Sequence, residues 1–360
     1  MARGARAHSE FNYSMFANLI GNNEAKEALR RMLAAGRLPG SLLFTGEDGV
    51  GKKLFALETA RILNCRNRNG NDACGECPSC KRISRSTFPP FGKDDDDKNR
   101  LIWGDHPDVA MARVHKRMIR VGPVRELERE ANYRPYEGLA RVFMIEDAER
   151  MNEAAQNALL KTLEEPATTS YLILLTSKPA ALLPTIRSRC QAIRFAPVSA
   201  SEMEKFLVDE KGMSRADAAL LAHTSRGSIG RALATDADAY REQREAMMAV
   251  LQALIITGDR VALLRSAEGL NDAKRKDEFE CRLDVLESLI RDTWALALGR
   301  PENTIANKDE LSQLRKLAAG LTSRQAEEWL LLIETLREQL VVNINRKIAT
   351  DALFLSMAAT

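Results

Sequence analysis

The chain has 360 residues, 45% of them hydrophobic and 29% charged. That composition describes a globular protein too long for one compact core, and it excludes a fibrous, low-complexity or disordered chain. The 53 Lys and Arg against 50 Asp and Glu leave a net charge of +3, which excludes a polyanion-binding signature spread over the whole chain.

The N-terminal stretch MARGARAHSEFNYSMFANLIG carries Arg3 and Arg6 with no apolar run behind them, so it does not read as a secretory signal. No segment approaches the roughly 18 successive apolar residues of a membrane span. The expected compartment is the cytosol.

The first predicted strand is SLLF, Ser41–Phe44, a short apolar run that suits a strand buried on both faces. It leads into GEDGVGKK, Gly46–Lys53, and then into the helical run KKLFALETARILN. Strand, glycine-rich turn and helix are the context of a phosphate-binding loop. Gly46, Gly49 and Gly51 let backbone N–H groups close around phosphate oxygens, and Lys52 reaches toward them. A glycine-rich turn without ligand fits the same residues. The next position departs from the pattern. Lys53 stands where a Ser or Thr hydroxyl holds Mg2+. Two unit charges ~4 Å apart repel by about 4 kcal/mol at an effective dielectric of about 20, and a divalent ion roughly doubles that. Magnesium-dependent catalysis therefore suffers more than phosphate binding.

Cys65, Cys74, Cys77 and Cys80 follow within one 16-residue stretch, CRNRNGNDACGECPSC. Four thiolates at this spacing can close a tetrahedral shell around Zn2+ with no open position, which makes the role structural. An iron–sulfur cluster is the alternative occupant. Thr87–Asp108 reads as a loop insertion, with Asp94–Asp97 repelling one another ahead of Lys98. Met111–Arg134 carries seven Lys and Arg against three acids, including Lys116, Arg117 and Arg120. It reads either as a solvated helix face or as a phosphate-contacting patch.

Further strands are predicted at VFMI (Val142–Ile145), YLILLT (Tyr171–Thr176) and, more weakly, AIRF (Ala192–Phe195). Glu146 and Asp147 follow the first of these. Two acids at that place serve metal and water in phosphate-loop ATPases, with Asp normally ahead of Glu, and here the order is reversed. Two solvated acids at a strand end fit equally. NEAAQNALLKTLEEP reads as a helix capped by Asn152 and stopped by Pro166. Eleven of the 12 prolines lie at or before Pro197, and the remainder is rich in Ala, Leu, Glu and Arg. That predicts an α/β half with a parallel sheet followed by an all-helical half, with Cys281 as a core thiol of the latter.

Several stretches together resemble one family. They are IGNNEAKEALRRMLAAGRLPGSLLFTGEDGVGK, the cysteine module, HPD, IRVGPVREL, NALLKTLEEP, LLPTIRSRC, GSIGRAL and the closing VVNINRKIATDALFLSMA. The chain is similar to the bacterial clamp-loader AAA+ subunits of the replicative DNA polymerase III holoenzyme. The resemblance implies an AAA+ nucleotide-binding domain over residues 1–197 with the zinc module at 65–80. A helical lid at 198–240 and a helical collar at 241–360 follow. It implies a ring assembled with gamma/tau and delta subunits that places a sliding clamp on primer–template DNA. It also implies that Arg189, in the Ser-Arg-Cys motif, is an arginine finger acting on the neighbour's ATP. The departures are Lys53, the inverted Glu146–Asp147 pair, and Gly230 where motor subunits carry a sensor Arg, with Arg231 one place late. Such a pattern resembles the stator of the ring, which donates a finger without hydrolysing ATP, so ATP and Mg2+ are doubtful cofactors. The alternative is a hydrolysing motor subunit of the gamma/tau kind. An unrelated phosphate-loop kinase or repair ATPase leaves NALLKTLEEP and the Ser-Arg-Cys motif unexplained.

Overall fold

The computed structural model describes residues 16, 19–68, 70, 72–91, 100–271, 278–341 and 345–360. The acidic run Asp94–Asp97 lies outside them, as does part of the stretch that opens the closing helix. Two compact units emerge. The first comprises Met1–Met203 and Gly227–Gly230; the second comprises Glu204–Arg226 and Arg231–Thr360.

Six strands build the sheet of the first unit: β1 (Ser41–Thr45), β2 (Ile102–Trp103), β3 (Val109–Ala112), β4 (Arg141–Ile145), β5 (Ser170–Thr176) and β6 (Gln191–Arg194). Their order is β2-β3-β4-β5-β1-β6, all parallel except the edge strand β2, which runs antiparallel to β3. Strand alternation divides the apolar side chains between two layers. Leu42, Phe44, Val142, Met144, Ile173 and Leu175 face one core, while Leu43, Phe143, Ile145, Leu172 and Leu174 face the other. Both faces are covered, which is why β1, β4 and β5 read as unbroken apolar runs.

Helices α1 (Asn23–Ala34) and α2 (Lys52–Asn64) carry residues of the first layer. The short α3 (Pro78–Arg85) packs on α2. Helices α4 (Val121–Ala131), α5 (Glu153–Glu164) and α6 (Pro184–Arg189) fill the second layer. The Asn152 side chain caps α5 as the sequence requires, accepting from the Ala155 N–H at 2.9 Å.

Two expectations are corrected here. Thr87–Asp108 is not a loop throughout, because Ile102–Trp103 forms β2 against Ala110 and Met111. Nor is the basic stretch from Met111 one helix face. It spans β3, a turn in which His115 pairs with Met118, and α4.

The helices from α7 (Ala200–Asp209) onward are α8 (Arg215–Thr224), α9 (Ile229–Ala234), α10 (Ala237–Gln252), α11 (Arg260–Leu270), α12 (Phe279–Ala297), α13 (Leu311–Ala318), α14 (Ser323–Val341) and α15 (Arg346–Met357). The core of the second unit centres on Leu283, Leu286, Leu289 and Ile290 of α12 and Trp329 of α14. The Trp329 indole donates to the Met357 carbonyl at 2.9 Å, fastening α15 to α14. Cys281 is not a core thiol: it is exposed. Its neighbours Arg282 and Leu283 take the buried stripe of α12, which turns position 281 outward. Among the described residues no helix is long and apolar enough to cross a membrane.

Candidate nucleotide site and cysteine centre

The glycine-rich loop runs from the end of β1 to the start of α2. Gly46 has a φ of 155°, and a Cβ on it would stand 2.4 Å from the Phe195 carbonyl oxygen. Gly51 caps α2 with a φ of 103°, a conformation that L side chains rarely adopt. The loop's lysine is turned onto the loop itself. The Lys52 ammonium donates to the carbonyls of Gly46 at 2.5 Å and Glu47 at 2.8 Å, and stands 3.7 Å from Asp48. Burial lowers the Lys52 pKa, with Asp48 opposing it.

Lys53 does not project toward solvent. Its ammonium donates to both carboxylate oxygens of Glu146, at 3.1 and 3.3 Å, and lies over the Phe88 ring. The first acid of the inverted pair is thus matched by a lysine. The second, Asp147, sits in the left-handed region at φ 51°. Burial raises its carboxyl pKa, and Glu146, Glu149 and Asp48 raise it further. Glu149 is a polar partner that the motif does not announce. It accepts from the Ser177 hydroxyl at 2.9 Å, beside the end of β5. Burial pushes its carboxyl up, but donors from Thr176 and Ser177 outweigh that and hold it below its ordinary value.

Gly230 closes over the loop. Its N–H donates to the Gly49 carbonyl at 2.9 Å, and a Cβ at 230 would stand 3.2 Å from the Gly49 Cα. Within the second unit, Arg231 pairs with Asp284 at 3.4 Å.

Arg189 ends α6 with its side chain about one-third exposed. It pairs with Glu164 at 2.7 Å and donates to the Thr185 carbonyl at 3.1 Å. Glu164 belongs to the NALLKTLEEP stretch, so two motifs far apart in sequence meet at this arginine.

The cysteine stretch folds as one knot. Cys65 follows the last residue of α2, Cys77 precedes the first of α3, and Cys80 lies within α3. Gly75, at φ 76°, makes the turn between them. The four Sγ atoms all lie within 4.8 Å of one another, and those of Cys74 and Cys80 are 4.0 Å apart. A tetrahedral shell with bonds of about 2.3 Å needs sulfurs about 3.8 Å apart, so the donor set fits a metal ion. Backbone N–H groups already point at the sulfurs, from Cys74 to Cys65 at 3.2 Å and from Cys77 to Cys74 at 3.4 Å. Burial pushes the Cys74 thiol up, but the N–H groups of Cys77 and Glu76 outweigh it and bring it down to about 7. Burial instead raises the Cys65 and Cys80 thiols.

The knot is fastened to the sheet by buried polar groups that sequence reading missed. Asp108, of the HPD stretch, accepts N–H bonds from Tyr136, Glu137 and Gly138 at 2.7, 3.0 and 2.8 Å. Asn64 of α2 accepts from Leu139 and Ala140. Glu137 in turn pairs with Arg82 of α3, and its carbonyl accepts from Arg66 at 2.7 Å.

The chain is thus a mixed α/β protein whose mostly parallel sheet carries a glycine-bounded loop after β1 and two acids after β4. The family described as "DNA polymerase III, delta subunit" matches residues 21–199. The DNA polymerase III subunit delta' of Escherichia coli (strain K12) is 30% identical over 332 residues, covering 91% of this chain and 92% of the relative. The subunit delta' of Bacillus subtilis (strain 168) is 26% identical over 309 residues, covering 86% and 88%. The subunit tau of Escherichia coli is 30% identical over 223 residues, covering 61% of this chain and 32% of the relative. The chain belongs to the DNA polymerase III delta' family.

Proposed function

We propose that this chain is the stator of a bacterial clamp loader. In this reading it holds the nucleotide-binding fold without turning ATP over, and it lends Arg189 to the ATP of a neighbouring subunit. The observation that carries the reading is the Lys53–Glu146 pair. A cation sits on the carboxylate that a working site reserves for Mg2+. Gly230, packed on Gly49, adds to it: no side chain reaches from that position to a γ-phosphate. The motor-subunit reading needs Mg2+ at the carboxylate that Lys53 already neutralises.

Arg189 suits the finger because its guanidinium is partly exposed and steadied by Glu164 at the same time. An aligned guanidinium stabilises charge developing on a transferring phosphoryl group. The relatives carry the names of subunits of DNA polymerase III, and we infer from them that the partners are tau/gamma and delta subunits, with the sliding clamp and primer–template DNA met by the assembled ring. The cysteine knot takes structural Zn2+, because four thiolates leave no open position for chemistry. Residues 198–240 act as lid and 241–360 as collar, and the setting is the cytosol.

The test is a titration of the purified chain with a fluorescent ATP analogue, with and without Mg2+. Binding that is absent at micromolar concentration, or indifferent to Mg2+, supports the stator. Tight binding that requires Mg2+ overturns it.

A further inference from the structure

The second unit holds an open cleft of about 400 Å3, lined by His223, Arg226, Ser288, Arg291, Asp292 and Arg300 among others. Its lining includes no residue of the phosphate loop and belongs to no motif discussed above. Four cations gather there. Arg226, Arg291 and Arg300 line the cleft, and the Lys308 ammonium stands 3.2 Å from His223 Nε2.

Two acids lie close by, and both are already engaged. Glu287 is buried and shared by three guanidiniums: Arg226 at 3.2 Å, Arg291 at 2.9 Å and Arg337 at 2.9 Å. Asp292 accepts from the N–H groups of Ala306 at 3.0 Å and Asn307 at 2.8 Å, and from the Asn307 side chain at 2.8 Å. Its oxygens are spent on that loop. Glu204 also faces His223, whose pKa is lowered by burial and then by Lys308. Arg300 is exposed, and its side chain has no hydrogen bond or ion pair among the described residues. The Ser288 oxygen accepts from Asn307 Nδ2 at 3.2 Å, so its proton remains to be donated.

The backbone also places a cation here at a cost. Arg226 has a φ of 53°, in the left-handed region where a non-glycine residue is strained. Gly227 follows immediately, yet the strained place is held by an arginine whose guanidinium reaches Glu287 at the cleft wall. Planar guanidiniums arranged around a concavity match the paired oxygens of a phosphate, which a monatomic halide does not offer.

We propose that this cleft binds a phosphate oxyanion, through Arg226, Arg291 and Arg300, with Ser288 donating its hydroxyl proton. The phosphate comes either from a free compact polyphosphate or from a nucleic-acid backbone, and the two sources share this chemistry.

The test is calorimetric titration of the full chain with inorganic pyrophosphate at low salt. Four variants accompany the wild type. Lys52→Ala disables the phosphate loop, Arg300→Glu reverses a cleft charge, Arg300→Lys keeps it, and Arg324→Glu reverses a charge on the exposed side of α14. The expected result is equal affinity for wild type and Arg324→Glu, and a binding phase that persists in Lys52→Ala. Arg300→Glu weakens binding at least tenfold, and Arg300→Lys recovers most of it. Competition by a thymidine dodecamer then assigns the source. Displacement of pyrophosphate means a backbone phosphate; no displacement means a free polyphosphate. The proposal is overturned if pyrophosphate does not bind. It is equally overturned if binding disappears in Lys52→Ala and is unmoved by Arg300→Glu, or if Arg324→Glu weakens it as much.

Discussion

The Lys53 ammonium stands 3.1 and 3.3 Å from the two carboxylate oxygens of Glu146, across 93 positions of sequence. Each residue by itself looks like damage to an ATP site. Together they are complementary: the lysine neutralises the acid, and the acid removes the repulsion that the lysine would otherwise present to the loop. Restoring one hydroxyl tests this directly. Lys53→Thr frees Glu146 and supplies the missing magnesium ligand. The expected outcome is a gain of about tenfold in Mg2+-dependent affinity for a fluorescent ATP analogue, equivalent to about 1.4 kcal/mol. No gain in ATP turnover is expected, because Asp147 and Gly230 are unchanged. The partly exposed pair contributes at most about 1 kcal/mol, so the melting temperature moves little. If affinity is the same with and without Mg2+ in the variant, Lys53 is not what closes the metal position.

Arg189 rests on Glu164 at 2.7 Å, with both side chains open to solvent. A pair of this exposure is worth about 0–1 kcal/mol. Arg189→Ala therefore leaves the melting temperature and assembly with the partner subunits intact. In the proposed stator it removes a guanidinium offered to the neighbour's ATP, and fingers of this kind are worth roughly three to five orders of magnitude at the site they serve. The DNA-stimulated ATPase of the reconstituted loader should drop by the share of that one site. Turnover equal to wild type would falsify the finger.

A metal ion held by the four cysteines would couple binding to folding. Their sulfurs are gathered within 4.8 Å, and Glu137 ties the knot to the loop that Asp108 and Asn64 hold. Metal analysis should find one equivalent of zinc per chain, and less than about half an equivalent would contradict the assignment. Cys80→Ser removes a buried ligand. It should release the metal and lower the stability of the first unit by several kcal/mol, because metal binding free energy is folding free energy. Urea unfolding, followed with and without a chelator, measures it.

The parts legible in the sequence were those with local patterns. β1, β4 and β5 announce themselves as apolar runs because both faces are buried. The cysteine knot is legible because all its ligands fall between Cys65 and Cys80. The phosphate loop and the Asn152 cap are set by residues a few positions apart. Strand β3 was missed because VAMA is short and half alanine, and β2 because two residues carry no period. Cys281 was misread because a helical stripe is shared among neighbours, and Arg282 and Leu283 took the inner side. Lys53–Glu146 and the Asp108 clamp on Tyr136–Gly138 depend on the chain meeting itself after long intervals. No window of sequence contains them.

A buried ion pair within α2 gives the first unit a pH dependence. Glu58 and Arg61 meet at 2.8 Å, and both side chains are almost wholly buried. Burial raises the Glu58 carboxyl to about 7, outweighing Arg61, which lowers it. An unfolded glutamate releases its proton near its ordinary value of 4.5. Between these values the folded chain holds a proton that the unfolded chain has lost. Stability therefore falls as pH rises from about 4.5 through about 7, the reverse of a salt-bridged surface acid. Replacing both residues with apolar ones of similar length removes the charges together. Glu58→Met with Arg61→Met should flatten the slope of unfolding free energy between pH 5 and 7. At pH 8 it should be neutral or stabilise the unit by about 1–4 kcal/mol. Glu58→Gln alone mimics the protonated carboxyl, so it too should flatten the slope between pH 5 and 7 and keep at pH 8 the stability that the wild type has at low pH. Urea titrations at pH 5, 6, 7 and 8 separate these outcomes. An unchanged slope in the double variant would move the pH dependence to another group.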